Sequence, residues 1–144
     1  MRSYILNREQ RAVHGFTDVF ILLAADFSAG FTNKQVTLDA LAAGDFVKRA
    51  LIDIRTLVSG PSVAPTVQVK INTAAVAITP TLACKTANYA ITNNTVVGSA
   101  APTAADNLVL DCQAGGGDGA AATAGEVHVW VERHLATDRT LMQL

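Results

Sequence analysis

The clearest pattern along the chain is a period of two. Thr66-Val67-Gln68-Val69-Lys70-Ile71-Asn72 alternates, with Val67, Val69 and Ile71 on one side and Gln68 and Lys70 on the other. Ala50, Ile52, Ile54 and Thr56 form a second stripe opposite Asp53 and Arg55. Val127, Val129 and Val131 form a third, opposite His128, Trp130 and Glu132. Side chains of a strand point alternately to the two faces of its sheet, so each stripe predicts a half-buried antiparallel strand. Weaker runs predict strands over residues 18–26, 35–41, 75–79, 89–91 and 107–112. Turn-forming residues fall between them, at Ala43-Gly44-Asp45, Ser59-Gly60-Pro61, Asn93-Asn94 and Gly98 to Pro102. The only helix candidate is short, Asn7 to Val13, and Thr103 to Asn107 suits one helical turn at most. Short strands broken at these intervals predict an all-β fold: an antiparallel β-sandwich or jelly roll with an extended N-terminal arm.

The 144 residues suit one domain with a core of its own. The boundaries read as an arm over 1–15, a sandwich over 16–135 and a C-terminal tail over 136–144. The arm carries Arg2, Arg8 and Arg11 and reads as a segment laid on a neighbour. The stretch "QAGGGDGAAATAG", residues 113–125, is too small-sided for a strand and reads as a loop leading to the last one. Half of the residues are hydrophobic and only 16% are charged, against about 25% in an average soluble domain. So apolar a chain predicts burial of surface against further copies or partners. A net charge of −1 offers no basic field for nucleic acid. The apolar run from Phe20 to Ala25 is short and flanked by Asp18 and Asp26, so neither a signal peptide nor a membrane span is expected. Cys84 and Cys112 read as two small buried thiols, although spacing does not decide whether they pair.

The candidates for chemistry are weak. "GGGDG" lacks the Lys-Ser/Thr of a phosphate loop, and Asp118 alone does not make a calcium repeat. His128 and His134 share a strand face but lie about 20 Å apart, too far for one metal. Asn93-Asn94-Thr95 matches a glycosylation sequon that means little without a signal peptide. No serine sits in a nucleophile elbow. Asp39, Asp53, Asp111 and Glu132 could meet across strands, yet carboxylates on strands mostly mark solvated faces. No enzyme activity, cofactor or metal is expected. Trp130 keeps three readings: an interface anchor, a core residue should the faces be reversed, or, last, a sugar-stacking platform.

"LDALAAGDFVKRALIDIRTLV", then "TVQVKIN", a long small-residue stretch and the closing "TAGEVHVWVE" together resemble small virion proteins of tailed bacteriophages. The likeness is greatest to capsid decoration (cement) proteins and related jelly-roll virion modules, and covers roughly residues 36–132 in order and spacing. The N-terminal segment and the tail "ATDRTLMQL" depart from that pattern. The resemblance implies a symmetric oligomer, expected as a trimer, made in the host cytoplasm and seated on the capsid surface. It would bind the major capsid protein or other virion subunits, with no catalytic residues to carry over. The partner-binding residues expected on this reading are Arg2, Tyr4, Arg8 and Arg11 of the arm, His128, Trp130 and Glu132 of the closing strand, and Leu141 and Leu144 of the tail. A glycan-binding tail-fibre module and a head–tail or tail adaptor ring are the alternatives.

Overall fold

The structure, a computed structural model, describes residues 1–27, 34–60, 65–73, 75–85, 102–113 and 122–136. Its elements in chain order are β1 (Arg2–Ile5), α1 (Arg8–His14), β2 (Asp18–Leu23), a 3-10 turn (Ala24–Phe27), β3 (Lys34–Leu41), β4 (Phe46–Ser59), β5 (Thr66–Ile71), β6 (Val76–Ala77), β7 (Leu82–Ala83), β8 (Asp106–Gln113) and β9 (Ala124–His134). They form two antiparallel sheets, as an all-β sandwich requires. The first sheet has the order β1-β2-β9-β4; the second runs β3-β8-β5-β6, with β7 also on β5.

The pairings are nested. β2 pairs with β9, β3 with β8 and β5 with β6. Between them, the Val58 N–H near the end of β4 donates to the Cys84 carbonyl just after β7, at 3.1 Å. The chain therefore folds back on itself about its middle, and strands distant in sequence become neighbours.

The alternating stripes supply the core. Val127, Val129 and Val131 of β9 are fully buried, with Ala50, Ile52 and Ile54 of β4 beside them. Val67, Val69 and Ile71 of β5, and Leu108, Leu110 and Cys112 of β8, face them from the second sheet. Burying a valine of this kind contributes roughly 1.5–3 kcal/mol. The stripe on β4 is broken after Ile54, where a register irregularity leaves Thr56 exposed, and the core is met again at Val58.

Several boundaries differ from the sequence expectation. The strand expected over 18–26 stops at Leu23, where the Asp26 carboxylate turns back to accept the Leu23 N–H at 2.9 Å. The strand expected over 75–79 shrinks to Val76–Ala77, and 103–107 holds no helical turn, since β8 begins at Asp106. The strand expected over 89–91, the Asn93-Asn94 turn and most of the glycine loop lie outside the described residues. The helix over 8–14 forms because Asn7 caps it: the Asn7 side chain accepts the Gln10 N–H and the Gln10 side chain accepts the Asn7 N–H, both at 2.9 Å.

The N-terminal segment is tied to its own domain. Arg2–Ile5 pairs in regular register with β2 as an edge strand of the first sheet. Leu6 is buried, and its N–H donates to the Thr17 carbonyl at 2.8 Å. The terminal amine of Met1 meets Asp26 at 2.6 Å. Backbone pairing outweighs the polarity of the side chains, which simply stay on the surface.

Cys84 and Cys112 are buried thiols that form no disulfide with each other. Burial pushes the Cys84 thiol from 9.0 up to about 12. The unfolded chain releases this proton first as pH rises, so the fold loses stability between 9.0 and about 12. Both thiols should react with a thiol-specific reagent only at the rate of global unfolding, which stopped-flow labelling against denaturant will measure. A second expectation concerns Gly125, the second residue of β9, with φ 143°. A Cβ there would stand 2.9 Å from Val58 Cγ2 and 3.2 Å from Val58 Cα. Gly125→Ala should lower stability by about 2 kcal/mol, seen as a lower urea midpoint at unchanged m-value.

Candidate functional site

The closing strand displays its expected residues on the outer face of the first sheet. His128, Trp130 and Glu132 alternate with the buried valines and are all partly exposed. Trp130 therefore does not enter the sandwich. It meets the Phe16 ring at a centroid distance of 6.2 Å and an interplanar angle of 52°. The Arg49 guanidinium lies 4.6 Å over the same Phe16 ring. It also crosses Gly15, whose left-handed φ of 70° and missing side chain leave it room. A cation on an aromatic face is attracted by the ring quadrupole, so Phe16 sits between Trp130 and Arg49.

Glu132 is gripped by Arg49 at 2.6 Å and Lys48 at 3.0 Å. Burial works to raise its pKa, but hydrogen bonds and charge from Lys48 and Arg49 outweigh it and hold the carboxyl below 4.5. His128 meets Glu126 at 2.6 Å, and His134 stands 4.0 Å from Glu132.

The register brings two of the expected groups together. Tyr4 pairs with Val19, Val19 with Trp130 and Trp130 with Leu51. One cross-strand row therefore runs over all four strands, with Tyr4 at its open end. Arg2 lies on the same face of β1, opposite Ile21. Arg11, an exposed residue of α1, donates from Nε back to the Leu6 carbonyl at 2.7 Å, which fixes the β1–α1 corner. Arg8 is exposed on α1. Leu141 and Leu144 lie outside the described residues.

The carboxylates singled out from sequence each sit with a cation. Asp53 meets Arg55 at 2.6 Å, Asp111 meets Lys70 at 3.1 Å and Asp39 meets Arg133 at 2.7 Å. The last contact belongs to a cluster that the sequence reading missed. Arg133 follows Glu132, so alternation turns it to the valine side, where its side chain is only 10% exposed. Its Nε and Nη2 donate to the two oxygens of Asp18 at 3.0 and 3.2 Å. Asp18 belongs to β2 of the same sheet and Asp39 to β3 of the other, so Arg133 ties the two sheets. A β-bulge in β3 between Thr37 and Asp39 makes this possible. The extra residue, Leu38, is buried in the core, while Asp39 is aimed at the guanidinium. Burial works against the Arg133 charge, but hydrogen bonds and charge from Asp18 and Asp39 outweigh it and hold its pKa above the ordinary arginine value. The clue in the sequence was an arginine in register with three inward valines.

Beside this cluster lies a hollow of about 460 Å³, lined by Ser3, Tyr4, Ile5, Asp18, Phe20, Leu38, Asp39 and Arg133. β1 overhangs it. Ser3 and Ile5 sit in register with the inward-facing Phe20 and Asp18, yet Ile5 is 74% exposed. The first sheet extends one strand beyond the second on this side. Of the six large apolar side chains exposed among the described residues, Met1, Tyr4, Ile5 and Val13 all belong to this N-terminal rim. Among the described residues no cluster of three or more His, Cys, Asp or Glu is placed to hold a metal ion.

Removing one member of a buried ion pair strands its partners. Arg133→Ala should therefore destabilise the fold by about 3 kcal/mol, whereas Asp39→Asn, on the more exposed arm, should cost about 1 kcal/mol or less. Chemical denaturation of the two variants will give the ranking. The lowered pKa of Glu132 means that its contribution is present above 4.5 and is lost as pH falls through the lower folded-state value. Glu132→Gln should flatten that acid limb in melting temperatures recorded from pH 7 downwards.

Comparison with protein-family models, with curated proteins and with solved structures returns no match to this chain.

Proposed function

We propose that this chain is a structural virion protein of jelly-roll type, which seats on an assembled phage capsid as a symmetric oligomer and stabilises the shell. The observation that carries the reading is the N-terminal rim. Tyr4, Ile5 and Val13 stand 48%, 74% and 77% exposed on a strand and helix that are themselves firmly tied down. Arg2 and Arg8 lie among them. Exposed aromatic and aliphatic anchors within a charged border have the make-up of a protein-binding surface. The strand arrangement supports the same reading: two antiparallel sheets, β1-β2-β9-β4 and β3-β8-β5-β6, with nested pairings, form the kind of sandwich on which a jelly roll is built. The partner on this reading is the major capsid protein or another virion subunit. Modest contacts suffice, because an oligomer multiplies them by effective concentration.

Co-sedimentation with DNA-free shells of the parent phage tests the proposal. The purified chain should travel with the shells at a fixed stoichiometry and raise the temperature at which they open. Val13→Glu, at a largely exposed position, should leave the fold intact and weaken shell binding about tenfold. A folded chain that never travels with shells overturns the proposal.

A further inference from the structure

Edge strands invite pairing with other chains, and proteins blunt them with bulges, inward charges, prolines or brevity. Among the described strands, the edges other than β1 are blunted. β3 carries a bulge and the inward Asp39. β4 has three register irregularities, and β6 and β7 have two residues each. β1 differs: four consecutive residues pair regularly with β2, without a bulge, a proline or an inward charge. Its order is already fixed by Leu6 and Arg11, so pairing with a further strand costs little entropy.

We propose that β1 is a dimerisation strand, which pairs antiparallel with β1 of a second copy about a two-fold axis through Tyr4. This rests on the reading of the chain as an assembly module and names the first partner of the N-terminal rim. The register follows from hydrogen-bond directions. The Leu6 N–H points to β2, where it meets the Thr17 carbonyl. Antiparallel ladders alternate, so Arg2 and Tyr4 also bond to β2, while Ser3 and Ile5 turn their N–H and C=O groups to the outer edge, which no other described strand covers. A two-fold that places Ser3 of one copy opposite Ile5 of the other satisfies these groups on both copies. Tyr4 then faces Tyr4 as a close, non-hydrogen-bonded pair, and the exposed Ile5 side chains are covered from the neighbouring strand.

Charge agrees with this register. Arg2 and Glu9 are exposed, and among the described residues neither forms an ion pair within the chain. Antiparallel pairing sets Arg2 of one copy beside Leu6 of the other, at the start of α1, where Glu9 occupies the first turn. Each dimer gains two such pairs. The paired strands are short, so the interface belongs to the small class that associates weakly.

The test is direct because Cys84 and Cys112 are buried. Tyr4→Cys in the full chain should form a disulfide-linked dimer under mild oxidation, while Leu23→Cys, exposed but away from the axis, should not. Sedimentation velocity of the native chain should show a reversible dimer at about 0.1 mM and above. Ser3→Pro removes an N–H that faces outwards, so it should abolish the dimer with circular dichroism and melting unchanged. Arg2→Glu should weaken the dimer about tenfold, and Arg2→Glu combined with Glu9→Arg should restore it, which also covers the case in which Ser3→Pro does not fold. A chain monomeric at every concentration without Tyr4→Cys linkage, or a dimer indifferent to both Ser3→Pro and the charge reversal, overturns the proposal. A monomer that still travels with phage shells overturns the dimer and leaves the virion reading standing; a dimer that ignores shells does the reverse.

Discussion

The sandwich is closed at one end by a single guanidinium. Arg133 holds Asp18 on its own sheet and Asp39 on the opposite one, at distances between 2.7 and 3.2 Å. Desolvating such ions costs several kcal/mol each, and the cost is offset only when geometry supplies paired hydrogen bonds. Here Asp18 receives two and is further anchored by the Thr17 hydroxyl at 2.6 Å. Thr17 in turn accepts the Arg133 N–H at 3.1 Å, so the backbone that carries the guanidinium is held by the same turn that places its partner. An aliphatic residue at 133 would extend the valine row, but it would give the bulged β3 no reason to direct Asp39 inwards. The ion cluster thus fixes which part of β3 approaches the first sheet, and a hollow is left under β1.

The two faces of the first sheet divide the work. Its inner face is aliphatic and unites the sheets. Its outer face carries a row from Tyr4 through Val19 and Trp130 to Leu51, flanked by the Glu132 cluster with Lys48 and Arg49. Trp130 packs against Phe16 of the same chain, and Phe16 also carries the Arg49 guanidinium. These contacts brace the segment between α1 and β2, and hence the base of the rim. Arg11, the Leu6 amide and the Asn7 cap brace its other side. An exposed strand held from both sides can be presented to a partner without first being ordered.

The long alternating strands were legible because burial of one face enforces a period of two over many residues. β5 and β9 appear in the structure with the faces read from sequence. What escaped has physical reasons. Four residues of β1 contain only two alternations, and Arg2-Ser3-Tyr4-Ile5 shows no apolar stripe because neither of its faces is buried. Its pairing rests on backbone groups that every sequence possesses. Bulges leave no mark in composition either: Leu38 and Asp39 read as one inward and one outward residue until the register is known. Arg133 was legible in principle, being in phase with Val127, Val129 and Val131. A charge on an apolar face needs a partner, and the partners lie about 115 and 94 residues away, beyond the reach of any local rule. Of the candidate site residues, the outward set on β9 came from phase alone. Tyr4 and Arg2 entered through the polarity of their segment, and only the register placed Tyr4 in the row of Trp130.

The apolar composition takes a different meaning once the residues are placed. Half of the chain is hydrophobic, yet the core absorbs most of the large side chains among the described residues. Most of the excess among the described residues, four of six exposed large apolar side chains, gathers at the N-terminal rim, where Ile5 projects over a hollow. A random leakage of apolar residues would have left other edges sticky as well, but those edges are bulged or short. Exposure is greatest at an edge that no described strand covers, with Leu23 and Leu57 the two lesser cases elsewhere, and the charges of that edge, Arg2 and Glu9, have no partner of their own among the described residues. Apolar surface, free hydrogen-bonding groups and unpaired charge are separately costly on a monomer. Their coincidence on one strand–helix corner is most simply understood as a surface meant to be covered.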